Sequence, residues 1–331
     1  FEQGVSPEAS FESGAVQIPV GSGTWSVNGR SAGGPLRLRP ATEQSINSPF
    51  AQLIMQVGPE NVTDAIRRLG IERDITPIPA IALGGLEEGV TPLDMATAFS
   101  TFSNKGVAVA PYGIESVTAP DGEVLWQHEP ETSQAITEQI AWMITDFLKG
   151  VASRGTGANG KFGLTFAAKT GTTQQYRDAW YVGYTPHVST AVWMGYAEGQ
   201  REMIGVHGIR VTGGSLPSQI FSRFMKVATE GMASEDWTRP SGIRDVKVCK
   251  ETGDEPTEYC PDVITGRVFS TTQLKPCELH AEPTELEVPD VTGLTESLAL
   301  ARLAEEGFTT VNVVEKQVNG VASGVVASQK P

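Results

Sequence analysis

Apolar residues along the chain keep two alternating periods, and the elements they predict follow one another in a clear order. Residues 1–40 are rich in Gly, Ser and Pro with short apolar runs such as Ala15-Val16-Gln17-Ile18, a pattern of loops and brief strands. Ile46, Phe50, Leu53, Ile54 and Val57 then recur at the spacing of one helix face, which predicts a helix over residues 45–57 stopped by Gly58-Pro59. Asn61 is placed to cap the next helix, which ends at Gly70, and Thr91-Pro92 opens a further one that runs to Ser103. The period then shortens. Residues 114–118 and 124–127 read as a hairpin around Pro120-Asp121-Gly122. A helix over residues 135–151 is followed by a Gly-rich loop at 155–160. Strand-like runs at 164–170, 179–184 and 189–196 lie close enough together to form an antiparallel meander. Residues 216–232 read as an amphipathic helix, and residues 237–289 as irregular, Pro-spaced chain. From Val288 a separate small unit begins, with a short strand, a helix over residues 295–306 ended by Gly307, and a strand at 309–314.

Length and composition narrow the classes. With 331 residues the chain is long enough for about two domains with a real core, and 39% hydrophobic against 19% charged residues suits a globular protein. No stretch reaches transmembrane length. A net charge of -14 with no basic stripe argues against nucleic acid or anionic lipid as main partner. Phe1-Glu2-Gln3-Gly4 reads like the end of a helix, so the sequence is expected to lack a front segment that could hold targeting information. No phosphate-cradling glycine loop is present and no cofactor is implied. His128, His187, His207 and His280 follow no pattern of a catalytic base and read as surface or structural residues.

Three cysteines, Cys249, Cys260 and Cys277, fall in one short stretch with His280 just behind the last. A Cys249 to Cys260 disulfide is the favoured expectation, with Cys277 left over. A zinc site using all four residues remains open, although the spacing lacks the short Cys-x2-4-Cys hairpin of common sites, and so do inert thiols.

The sharpest candidate chemistry is Lys169-Thr170-Gly171-Thr172 at the end of an apolar strand. Alone it is explained equally well by an exposed strand end. Upstream stands Ser45-Ile46-Asn47, which a serine helix cap would also explain. In this order, far apart, the two match the Ser-x-Asn and Lys-Thr-Gly elements of penicillin-recognising serine enzymes. The likeness extends to Phe1-Glu2-Gln3-Gly4-Val5-Ser6-Pro7, Ala41-Thr42-Glu43-Gln44, Glu88-Gly89-Val90-Thr91-Pro92-Leu93-Asp94-Met95-Ala96 and Asp178-Ala179-Trp180. Residues 1 to about 235 thus resemble the transpeptidase domain of class A penicillin-binding proteins, and the tail from Val288 resembles a PASTA repeat. A turn aspartate and a core tryptophan explain Asp178 and Trp180 as well as any catalytic role does.

The resemblance implies an α/β (α+β) fold of the penicillin-binding-protein and serine β-lactamase type, with a central antiparallel sheet flanked by helices and a small βαββ PASTA-like domain behind it. It implies a transpeptidase domain at 1–240 lacking its N-terminal part, a cysteine-containing closing segment at 241–286 and a truncated PASTA-like domain at 287–331. It also implies a serine-type D,D-transpeptidase that cross-links peptidoglycan stem peptides ending in D-Ala-D-Ala through a seryl acyl-enzyme. β-Lactams would be its inhibitors, other cell-wall synthesis proteins its partners, and the outer face of the bacterial membrane its location, held by an N-terminal anchor. In this family Ser45 would relay a proton, Asn47 hold the substrate amide, and Lys169 supply positive charge. Thr170 and Thr172 would bind the substrate carboxylate while Gly171 leaves room for the peptide. The departure is that no Ser stands three residues before any Lys, so the nucleophilic Ser-x-x-Lys is expected upstream. Two other functions fit part of these features: a D,D-carboxypeptidase or β-lactamase-like hydrolase, and a non-catalytic muropeptide-binding or sensor module.

Overall fold

Small residues alternating with aromatic ones let the predicted meander become the centre of the molecule. In the computed structural model, which describes residues 1–30, 33–282 and 287–330, strands Ala167–Thr172, Asp178–Tyr184 and Ser189–Gly195 form an antiparallel sheet with Asp178–Tyr184 in the middle. The register sets Lys169 opposite Val182 and Gly171 opposite Trp180. Ala167, Ala168 and Ala179 are fully buried and hold no bulk, so helices approach the strands closely. On one face Ala167 and Tyr184 pack on Leu148 and Val151 of the long helix Glu138–Arg154. On the other, Ala168 and Tyr181 pack on Phe221 and Met225 of the helix Leu216–Ala228. Strand alternation assigns these faces.

The helices are α1 (Leu38–Gln44), α2 (Asn47–Val57), α3 (Pro59–Arg68), α4 (Pro92–Ser103), α5 (Glu138–Arg154), α6 (Leu216–Ala228) and α7 (Glu296–Glu305). α4 matches its sequence signals, with Thr91 and Asp94 capping each other's backbone N–H. The helix expected over residues 45–57 forms as α2 but starts two residues later, at Asn47, behind a separate helix, α1. Ile46 N–H bonds Ala41 O at 2.9 Å and Ser45 takes a left-handed φ of 53°, which closes α1 and reopens the chain as α2. Asn61 does not cap α3; Gly58 holds that place, and Asn61 donates to Val57 O from inside the helix. α5 starts three residues later than periodicity suggests because Thr132–Gln134 pairs with Val107–Val109, and Thr137 then caps the helix. The expected hairpin forms from Ser116–Thr118 and Val124–Gln127. α6 ends at Ala228, short of the expected 232, in a turn at Thr229.

Residues 237–289 are not irregular throughout. Strands Ile243–Cys249 and Val263–Phe269 pair in continuous register as a closing hairpin, which the long Pro-containing connection between them hid from a local reading. Phe269 packs on Phe1, and Phe1 on Phe147 of α5. Arg267 pairs with Asp146 of α5 at 2.9 Å. Glu8 is buried, and its carboxylate accepts from the backbone N–H of Arg267 and from the Arg37 guanidinium. A buried carboxylate needs such partners, so the hairpin is fastened to the N-terminal segment by charge as well as by apolar contact.

All of these elements except α7 lie in one unit, Phe1–His280; residues 281–331 form a second. In the second, Ala299 and Leu303 of α7 pack on Val291 with Leu294, Phe308 and Val326 around them. The strand expected at 309–314 does not form, and Val311, Val313 and Val314 are exposed. Residues 283–286 and Pro331, the ends of the expected closing segment and tail domain, lie outside the described residues. Among the described residues no helix is long and apolar enough to cross a membrane.

Candidate active site

The left-handed turn between α1 and α2 leaves the side chain of Ser45 exposed. A non-glycine residue is held there at some cost, and such positions gather at functional sites. Lys169 reaches the turn from the sheet: its Nζ donates to Ser45 Oγ at 2.8 Å and to Thr170 O at 2.8 Å. The two motifs, 124 residues apart, therefore meet through one hydrogen bond. Ser45 does not N-cap a helix but ends α1 as its C-cap; the residue before α2 is Ile46, which makes no side-chain cap. Asn47 opens α2 with its side chain exposed. Enclosure of the Lys169 ammonium lowers its pKa from the ordinary 10.5 to about 8, because leaving water penalises the charged form.

The strand carrying Lys169 lies at the edge of its sheet. Thr173 N–H bonds Asp178 O, so by antiparallel alternation Gly171 and Lys169 turn their backbone groups inward, whereas Thr170 and Thr172 present theirs on the open edge. An extended peptide can lie along such an edge. Gly171 keeps the strand close to its neighbour: a Cβ would stand a tight 3.2 Å from the Trp180 Cβ. Thr172 is exposed and its Oγ1 accepts from Gly213 N–H at 3.0 Å, which leaves its hydroxyl hydrogen to give. Thr170 differs. Its side chain is buried on the face opposite Lys169, and its hydroxyl bonds that of Thr156 at 2.6 Å, so it braces the strand.

Thr156 belongs to a support that sequence reasoning missed. Glu43 is buried two residues before Ser45, with its carboxylate clamped by the guanidinium of Arg154. Thr156 N–H donates to Glu43 O at 3.0 Å while its hydroxyl meets Thr170. This chain of contacts ties the end of α1 to the Lys169 strand and fixes Ser45 relative to Lys169. The one signal was an acidic residue on the buried face of α1, matched by Gly150 on α5, where a Cβ would come within 2.3 Å of the Glu43 carboxylate.

Asp178 accepts from the Trp193 indole at 2.9 Å and caps the Thr173 turn, which is a structural role. His128 stacks on Tyr112, His187 faces Glu235, and His207 sits in a tight turn. His280 departs from that description, because it converges with the cysteines. The expected Cys249 to Cys260 disulfide is not formed: all three cysteines are free. Cys277 and His280 are delivered to the same point as the other two by a bridge between Glu255 and Pro276, so the grouping is fourfold and not pairwise.

Comparison with known proteins gives the family. The family described as penicillin binding protein transpeptidase domain matches residues 1–226, and the PASTA domain family matches residues 286–331. Penicillin-binding protein 1F of Bacillus subtilis is 31% identical over 220 residues, covering 65% of this chain and 30% of the relative. Penicillin-binding protein 1A of Aquifex aeolicus is 32% identical, covering 62% and 28%. The chain thus spans under a third of the length of these relatives. Among solved structures, penicillin-binding protein 1A from Haemophilus influenzae superposes with a TM-score of 0.71 at 21% identity, covering 83% of this chain and 46% of that one. PonA1 from Mycobacterium tuberculosis in complex with penicillin V gives 0.64 at 29% identity, with 72% and 68% covered. The first of these matches takes in more than half of the residues, and the chain belongs to the penicillin-binding protein transpeptidase domain family, with a PASTA domain following.

Proposed function

We propose that this chain forms most of the substrate cleft of a D,D-transpeptidase that cross-links peptidoglycan at the outer face of the bacterial membrane and is acylated by β-lactams. The observation that carries this is the 2.8 Å hydrogen bond from Lys169 to Ser45 beside an open strand edge. The D-Ala-D-Ala end of a stem peptide would lie along the Ala167–Thr172 edge, its terminal carboxylate drawn by the Lys169 charge and bonded by the Thr172 hydroxyl. The Thr172 backbone N–H, on that edge, is an oxyanion donor. Thr170 steadies the strand instead of binding the carboxylate. A lysine whose pKa is near 8 exchanges protons readily near neutrality, so Lys169 can pass one through Ser45 Oγ to the departing amine. Asn47, beside Ser45, would hold the substrate amide.

The nucleophile is proposed to come from a Ser-x-x-Lys helix encoded before Phe1, together with a membrane anchor. An apolar groove of about 400 Å3 between α1, α2, α3 and α5, lined by Phe1, Leu38, Phe50, Ile66 and Ile144, offers that helix a bed along α1 and α2, the helices that the Ser45 turn joins. The test uses a longer protein that supplies this segment. Lys169→Ala should slow second-order acylation by penicillin about 100- to 1000-fold, the usual loss of about 2.7–4 kcal/mol for one preorganised contact, with the melting transition in place. A ten-fold or smaller loss would sink the assignment.

A further inference from the structure

Three segments of the closing hairpin deliver four metal-ligating atoms to one point. The sulfurs of Cys249 and Cys277 each lie 3.4 Å from Nδ1 of His280, and with the Cys260 sulfur the four atoms all fall within 4.8 Å of one another. A tetrahedral zinc with bonds of about 2.3 Å to sulfur and about 2.0 Å to nitrogen has sulfur-to-nitrogen edges of about 3.5 Å and sulfur-to-sulfur edges of about 3.8 Å. Two observed edges already match. Cys249 and Cys277 are buried, and Cys260 and His280 are half-buried.

We infer that this unit binds a structural zinc ion through the sulfurs of Cys249, Cys260 and Cys277 and Nδ1 of His280. Four protein ligands leave no open position, so the ion holds structure and performs no catalysis. A soft thiolate set with one imidazole favours zinc over the oxygen-seeking cations.

The surroundings of each ligand are those a metal site needs. Thr252 Oγ1 donates to the Cys277 sulfur at 3.4 Å, and Thr257 N–H to the Cys260 sulfur at 3.4 Å. Backbone N–H groups of Thr252 and Glu251 face the Cys249 sulfur. His280 directs its other nitrogen, Nε2, toward the Glu251 carboxylate 3.8 Å away, and Thr257 Oγ1 bonds the His280 carbonyl. Such partners orient the ligands and fix the imidazole tautomer. A disulfide accounts for none of this, because it would join two sulfurs and abandon the third beside the histidine. Binding would displace the three thiol protons to solvent, leaving thiolates on the metal.

The consequence reaches the N-terminal segment. Arg37 Nε donates to Lys250 O at 2.9 Å, next to Cys249, and Gly253 fits so closely over Glu8 that a Cβ would meet the Glu8 carbonyl. The zinc loop is therefore the clasp that seats the hairpin on Glu8 and Arg37.

The experiment measures metal in the full 331-residue chain, purified under mild reductant and without chelator. Elemental analysis should give about one zinc per chain. Exchange with cobalt(II) should produce the strong visible bands of a tetrahedral thiolate site. Stripping with a chelator should lower the melting transition, and zinc should restore it. A Cys260→Ser and Cys277→Ser double variant should lose both the metal and the cobalt bands. A chain that takes up neither zinc nor cobalt, or one whose intact mass shows a disulfide with no metal, overturns the inference. Zinc retained in full by the double variant overturns it equally, since the ion would then sit elsewhere.

Discussion

The Ser45 turn and the cysteine cluster are built by the same means and left in opposite states. Each gathers polar atoms from distant segments: Ser45 and Lys169 in the cleft, Cys249 and His280 in the clasp. In the cleft the groups are only partly satisfied. Ser45 is exposed on a left-handed residue, Lys169 is enclosed with a lowered pKa, and the Thr170 and Thr172 backbone groups point off an open strand edge. In the clasp every sulfur and the imidazole already have outer partners, and all four face one another. Unspent hydrogen-bonding capacity marks a place that waits for substrate; closed capacity marks a place that holds structure.

The contrast breaks at once if the cleft proves self-sufficient. Incubated with a fluorescent penicillin, the isolated chain should show no covalent labelling, whereas a longer protein with an upstream Ser-x-x-Lys should label to about one equivalent. Carboxylate anchoring and an oxyanion donor can hold a β-lactam, but the ring opens only when an activated hydroxyl attacks. Ser45 is the obvious substitute, and its hydroxyl already accepts from an ammonium, which lowers its nucleophilicity. Stoichiometric labelling of the isolated chain, abolished by Ser45→Ala, would make the turn itself the reactive centre.

What the sequence disclosed divides along the same line. Lys169-Thr170-Gly171-Thr172 and Ser45-Ile46-Asn47 were legible because each is a short run whose chemistry is local, and the meander was legible because apolar strands with close turns admit few arrangements. The turn at Ser45 was not, since the apolar period that predicts α2 starts only at Ile46 and says nothing of the helix before it, and backbone conformation alone separates the two. The bracing of Thr170 by Thr156, and of Glu43 by Arg154, depends on contacts across the fold that leave no periodic trace. In the clasp, the four residues were legible as one possible set, but their irregular spacing favoured a Cys249 to Cys260 pair over it. Their convergence depends on a hairpin whose connection, residues 250–262, carries two prolines and reads as loop.

The lowered pKa of Lys169 sharpens the contrast quantitatively. The ammonium that attracts the substrate carboxylate is charged below about pH 8 and neutral above it, so second-order acylation in the longer protein should fall as pH rises through about 8, by about ten-fold per further unit. Lys169→Arg keeps its charge throughout and should move this limb out of the accessible range even if its overall rate is lower. For folding the sign reverses. The native state binds fewer protons than the unfolded chain between about 8 and the ordinary 10.5, so this group's contribution makes stability rise with pH across that window. Parallel limbs in the wild type and Lys169→Arg would assign the titration to another group.

The smallest expected effect concerns the end of the first unit. His280 is its last residue, and the second unit has an apolar cluster of its own around Ala299 and Leu303. We propose that residues 287–331 are a separable domain. Deleting them should leave the melting transition of the remaining chain within about 2–4 °C, the shift that roughly 1 kcal/mol produces in a unit of this size. A cut before Cys277 should do far more, because it removes two of the four clasp ligands and frees the hairpin from Glu8. Calorimetry on the two truncations, side by side with the full chain, separates the cases. A large drop from the first cut would show that the tail shares the first unit's stability, and equal drops from both would remove the clasp's claim to close that unit.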